Sequence, residues 1–184
     1  MNSLTIPALE TRYKGYRCRS RLEARWCVAF DHAGIAYEYE PEGYQVGARA
    51  YLPDFHLPGI GFFEVKGTRE YPADTYQQFA TGTGQYLFVA AGGIPDPEGF
   101  HGYLHSFIPA GNIDAEMSIT LSGCGDDMFL KCSKCGSVVV QSDVYCTIKD
   151  NCDTCNYSGG GRMMPLREAF MAARGARFEH GECG

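Results

Sequence analysis

The 184-residue chain reads as an α/β protein, a sheet with helices packed on it, carrying a small cysteine-rich module and a C-terminal helix. Three observations lead there. Hydrophobic patterns follow one another as helix, strand, strand, strand, helix, strand between Ser20 and Gly92, an order that builds a sheet with helices on its faces. A content of 45% apolar and 13% aromatic residues is enough for a real core. Six of the nine cysteines crowd into one short segment from Cys124 to Cys155.

The first helix is "SRLEARWCVAFDHAG": Leu22, Trp26, Ala29, Phe30 and Ala33 recur at helical spacing, and Gly34 is the natural stop. "IAYEYEP" alternates, with Ile35, Tyr37 and Tyr39 on one side and Glu38 and Glu40 on the other, as in a half-exposed strand. "AYLPDFHL" and "GFFEVKG" follow as two strands around a Pro58-Gly59 turn. Positions 54 and 64 are equidistant from Gly59, so Asp54 and Glu64 should face each other across an antiparallel pair. Lys66, two residues past Glu64, shares its face. "PADTYQQFATG" reads as a short helix from Pro72 to Gly82, and "QYLFVAAG" as a buried central strand. The pattern divides the chain into a core at residues 1–110, a polar connector at 111–127, a cysteine module at 128–161 and a helix with tail at 162–184.

A net charge of −6 argues against a polyanionic partner, but the distribution argues the other way. Between Arg12 and Arg25 six cations meet one acid, Glu23, and from Arg162 to Arg177 four arginines meet only Glu168. Local basic patches decide phosphate contact, which marks Arg17, Arg19, Arg21 and Arg25 as nucleic-acid-binding candidates; the plainer reading is a solvated helix face. No apolar run is long enough to span a membrane, and the first residues lack the pattern of a secretory signal, so a cytoplasmic protein without membrane partners is expected.

Asp54 and Glu64 sit among residues that otherwise read as buried strand, where a charge is unfavourable unless paired or bound to a metal. Opposed carboxylates repel unless a cation lies between them, and oxygen ligands of this hardness suit Mg²⁺ or Mn²⁺ better than zinc. A lysine beside such a cation can orient water and offset charge developing on a phosphoryl group, so the set supports phosphodiester hydrolysis. The plainer alternative makes Asp54 a strand-end residue and Glu64–Lys66 an exposed salt bridge. Glu23 has two readings as well: a ligand, or the partner of Ser20 in a capping box. The five histidines show no ligand spacing.

Pro53-Asp54 followed by Glu64-Val65-Lys66, after a helix bearing Glu23, resembles the PD-(D/E)XK nuclease superfamily, closest to small phage and bacterial members related to Holliday-junction resolvases. The likeness spans roughly residues 12 to 92, through "RSRLEARW", "YEYEPEGY", "YLPDFHLP" and "FEVKG" in that order. It implies a restriction-endonuclease-like mixed sheet flanked by helices. It further implies Mg²⁺ held by Asp54, Glu64 and the Val65 carbonyl, with Glu23 completing the site, Lys66 holding the water, and Gln77 or Gln78 in a supporting role.

Cys132-x2-Cys135 and Cys152-x2-Cys155 stand 16 residues apart, the spacing of a four-cysteine zinc ribbon, with Cys146 as a substitute ligand and Cys124 and Cys183 as bystanders. A closed four-thiolate site is structural. The resulting expectation is a Mg²⁺-dependent DNA endonuclease with an appended zinc ribbon, with branched or nicked DNA among its substrates. Its rivals are a nuclease-like module that only binds nucleic acid and a protein-interaction module acting on a host complex. The sequence leaves open whether two chains pair as a homodimer to cut both strands.

Overall fold

A computed structural model describes residues 8–99, 103–111, 127–142, 151–152, 155, 157–158 and 163–178. Most of the connector, Cys124, Cys146, Cys183 and the side chain of Cys152 lie outside the described residues.

The chain opens with a small hairpin, β1 (Thr11–Tyr13) and β2 (Tyr16–Cys18), turned at Lys14 and Gly15. Both turn residues have positive φ, 45° and 86°, which matches the twist of a two-residue hairpin turn. Helix α1 (Arg21–Ala33) follows, and Gly34 ends it in the left-handed region with φ 75°. Then come β3 (Glu38–Tyr39), β4 (Tyr44–Val46), β5 (Arg49–Tyr51), β6 (Phe55–Leu57), β7 (Gly61–Lys66), α2 (Ala73–Thr83), β8 (Leu87–Ala91) and β9 (Leu104–Phe107). The later part holds β10 (Asp127–Cys132), β11 (Val138–Ser142), β12 (Asn151–Cys152), β13 (Tyr157–Ser158), β14 (Met163–Pro165) and α3 (Arg167–Gly175).

The main sheet runs β11-β10-β9-β8-β7-β6-β3, with β14 pairing β10 as an eighth strand. It is mixed: β3, β6 and β7 are antiparallel neighbours, and β8 lies parallel to β7 after the α2 crossover. Period-two alternation sends β7 to both faces. Phe63 and Val65 join Trp26 and Phe30 of α1, Phe129 of β10 and Phe170 of α3 in one core. Phe62 points the other way, into a second core with Tyr76 and Phe79 of α2 and Val46 of β4. Among these rings Phe30 meets Phe63 at 5.1 Å and Phe62 meets Phe79 at 4.9 Å, both edge to face.

Several expectations change. The single strand expected over "AYLPDFHL" is divided at Pro53, which has no N–H to give a ladder: β5 pairs β4 as a separate hairpin, and only β6 enters the main sheet. The strand expected over "IAYEYEP" shrinks to β3. The second helix runs one residue past the expected Gly82 and is capped by Gly84, φ 66°. The sheet also does not stop near Ala110. β9 joins β10 through Leu104↔Asp127, and β10 carries Phe129 and Leu130 into the cores before ending at Cys132. The Lys131 ammonium donates to the Ala33 carbonyl at 2.6 Å, tying this strand to the C-terminal end of α1. Among the described residues no helix is long and apolar enough to cross a membrane.

Gly61 shows how closely β7 and β8 approach. Its φ is +140°, and a Cβ there would lie 2.6 Å from the Tyr86 carbonyl oxygen, which already accepts from Phe62 N at 2.8 Å. Because the obstacle is backbone, Gly61→Ala should lose about 1–3 kcal/mol of stability, read as a lower midpoint in urea denaturation.

Candidate active site

The start of β6, the end of β7 and the first turn of α1 meet at one end of the sheet. The β6–β7 register pairs Phe55 with Phe63, so its continuation sets Asp54 opposite Glu64. The two are joined through the backbone: Asp54 N donates to Glu64 Oε2 at 3.3 Å, and Val65 N donates to Asp54 Oδ2 at 2.7 Å. Each is only 2% exposed. Glu64 lies on the α2 face with Phe62, and Lys66, half-buried on the same face, donates to Glu64 Oε1. A strand residue sends its N–H and C=O to the same edge. The Lys66 carbonyl faces β8, where it accepts from Gly92 N at 2.8 Å, so the Val65 carbonyl faces the Asp54 side with its N–H.

The partners of these carboxylates come from four elements. Tyr51 of β5 donates to Glu64 Oε2 at 2.8 Å, and Tyr76 of α2 donates to Oε1 at 3.2 Å. Arg19, just before α1, gives its guanidinium to Asp54 Oδ1 and to Glu40 Oε1, the latter at 2.8 Å. Glu23 stands one step back. Its N–H donates to Ser20 Oγ at 3.1 Å, while its carboxylate accepts from Ser20 Oγ at 2.8 Å and from Arg19 N at 2.9 Å. Tyr39 OH donates to the same carboxylate at 2.6 Å. Its observed bonds are those of a cap residue whose carboxylate reaches back over the helix start and holds Arg19 in place.

Burial in an apolar end of the sheet, and then the neighbouring Glu64 charge, push the Asp54 carboxyl up to about 7. Burial beside Glu64 likewise raises the Tyr51 and Tyr76 hydroxyls, so both remain donors at neutral pH.

The four arginines expected to meet nucleic acid do not form one free face. Arg17 pairs with Glu10 at 2.6 Å, and Arg19 is held by Glu40 and Asp54. Arg25 is half-buried with its Nε enclosed, and Arg21 is exposed with no ion pair among the described residues. Gln77 reaches away from the carboxylates to the Ile108 carbonyl at 2.6 Å, while Tyr76 of the same helix bonds Glu64. Sequence reasoning missed all three tyrosines: Tyr39 reads there only as one side of a half-exposed strand, and Tyr51 and Tyr76 carry no reading of their own.

A second cluster lies where β10 ends. Cys132, Cys135 and Cys155 place their sulfurs within 4.8 Å of one another, a group that can hold a metal ion. The Cys132 and Cys155 sulfurs are 3.9 Å apart. A tetrahedral thiolate site with Zn–S near 2.3 Å has an edge of roughly 3.8 Å, whereas a disulfide would need about 2.05 Å. The first CxxC turn is closed by Gly136 N donating to the Cys132 carbonyl at 2.9 Å, with Gly136 at φ 75°. Cys152 lies on β12, paired through its backbone with Tyr157 of β13, and Cys155 occupies the turn between them.

Comparison of this chain with known family models, curated proteins and solved structures finds no match.

A carboxyl with a folded pKa above its unfolded value takes up a proton on folding. Asp54 therefore leaves stability untouched below about pH 4 and lowers it progressively until pH passes about 7. In the presence of chelator, melting temperature should fall between pH 5 and pH 8. Asp54→Asn, which keeps an acceptor for Val65 N, should flatten that slope; an equal slope in the variant would place the titration elsewhere.

Proposed function

We propose that this chain is a divalent-cation-dependent endonuclease of the PD-(D/E)XK type, acting on DNA, with a restriction-endonuclease-like sheet and a structural zinc site. The observation that carries the reading is the Asp54–Glu64 pair: two carboxylates buried opposite each other, linked through backbone N–H groups, with Lys66 on the same face. Ordinary strands do not bury two acids side by side.

The donor set fits a hard cation such as Mg²⁺ or Mn²⁺. Asp54 and Glu64 supply carboxylate oxygens and Val65 a carbonyl aimed at the same edge. Asp54 has spare capacity, since each of its oxygens accepts only one hydrogen bond among the described residues, while each Glu64 oxygen already accepts two. When bound, the cation supplies Lewis-acid stabilisation of charge on the phosphate. The chain's own residues do the rest. Tyr51 and Tyr76 fix the Glu64 carboxylate, Arg19 steadies Asp54 against Glu40, and Glu23 anchors Arg19 from the helix cap. Lys66, on the same face as Glu64, would be placed to orient an attacking water for in-line displacement.

A second reading, a nuclease-like module that binds nucleic acid without cutting it, draws support from Arg19 and Lys66 already neutralising the two acids. Incubation with supercoiled, linear, single-stranded and four-way-junction DNA in Mg²⁺, Mn²⁺ or chelator separates the two. Cleavage that needs the cation and vanishes in Glu64→Ala and Asp54→Ala, both still folded, is the expected result. Wild-type rates in the double variant would remove the site from the reaction.

The cysteine group completes a tetrahedral zinc site when Cys152 supplies the fourth thiolate, as the paired CxxC spacing implies. Elemental analysis after dialysis should find one zinc per chain. Because Cys132 terminates a strand of the main sheet, Cys132→Ser should lower the melting temperature of the whole domain by about 5 °C or more in a single transition. A separate small transition with an unchanged main one would show that the cysteine segment folds on its own.

A further inference from the structure

The α2 side of the sheet contains a cavity of about 530 Å³ between the turn of the β4–β5 hairpin and the first turns of α2. Its size suits a small organic ligand. Its two walls are the elements that serve the carboxylates: β5 sends Tyr51 to Glu64, and α2 sends Tyr76. The Tyr51 and Tyr76 rings lie 5.6 Å apart, and Tyr71, which lines the cavity, stacks on Tyr76 at 5.7 Å with 22° between the planes. Tyr71 and, behind it, Tyr76 thus connect the cavity to Glu64.

The lining matches the parts of a nucleotide. Tyr71 offers an aromatic ring for a base. Asp74 and Gln78 offer acceptors for an exocyclic amine, and Arg49, exposed at the hairpin turn, offers a guanidinium for a phosphate. Gly47 keeps the opposite wall bare: its φ is +57°, and a Cβ there would come within 3.4 Å of Gln78 Oε1.

The geometry points to a pocket for one unpaired nucleotide beside the scissile phosphate, which makes the substrate class a strand with single-stranded or splayed nucleotides at the cleavage point. A base in a closed duplex has its pairing edge and both faces occupied and cannot enter. Adenine, cytosine and guanine, which carry an exocyclic amine, should be preferred to thymine. The placement beside a scissile phosphate rests on the nuclease reading of Asp54, Glu64 and Lys66; the nucleotide pocket itself does not.

The test is a binding titration in chelator, with a short single-stranded oligodeoxynucleotide carrying 2-aminopurine, read by fluorescence and anisotropy. The single strand should bind with quenching and the matching duplex at least about ten-fold more weakly. Tyr71→Leu should lose the quenching and about ten-fold in affinity, and Tyr71→Phe should retain both. Arg49→Ala, at an exposed position that leaves the fold intact, should weaken binding and flatten its salt dependence. Equal affinity for duplex and single strand, or wild-type binding and quenching in both Tyr71→Leu and Arg49→Ala, would overturn the pocket. Because no cation is present, this outcome is independent of cleavage: binding as described without cleavage in Mg²⁺ keeps the pocket and removes the nuclease. Cleavage by wild-type protein whose binding ignores both substitutions does the reverse.

Discussion

Two carboxylates facing each other inside a sheet can persist only if every one of their oxygens is met. That constraint organises this end of the molecule. Asp54 and Glu64 together take a guanidinium, an ammonium, two tyrosine hydroxyls and two backbone N–H groups, drawn from the start of α1, from β5, from β7 and from α2. Removing any one donor leaves a buried charge short of a partner, a loss larger than that of most apolar contacts. Hydrophobic packing on the two faces tolerates small slides of helix over sheet, whereas this cluster does not. It pins the α1 layer to the α2 layer across the sheet edge.

Much of this is legible in the sequence. The helical period of Leu22, Trp26 and Phe30, ended by Gly34, located α1, and the symmetry of positions 54 and 64 about Gly59 located the carboxylate pair on its hairpin. The two small hairpins were not legible, because strands of three residues carry too little alternation to stand out, although Lys14-Gly15 and Gly47-Ala48 marked their turns. Nor were the partners of the acids. Arg19 lies 35 residues from Asp54 in sequence, and no periodicity encodes a contact of that kind. The basic cluster near α1 therefore looked like a free surface for phosphate when two of its arginines were already bound to acids.

The cysteine segment teaches a similar lesson. CxxC spacing identifies the thiolates because local turn geometry sets it, but it says nothing of where the flanking strands go. Met128, Phe129 and Leu130 are three apolar residues in an otherwise polar stretch, and they insert β10 beside β9 with little else local to announce it. The turn that carries Cys132 and Cys135 is thereby an extension of the main sheet, and Lys131 in the same strand closes the end of α1.

The placement of α3 has a consequence for how the molecule comes into being. Phe170 packs edge-on against Trp26 at 6.0 Å, and Phe178 meets Tyr13 at 6.2 Å, so the layer that begins with α1 is completed by some of the last described residues. Contacts that span most of the chain close slowly, since their loop entropy must be spent before they form. During synthesis the side of Trp26 that meets Phe170 would stay uncovered until α3 has left the ribosome, whereas its contact with Phe63 can form as soon as β7 is made.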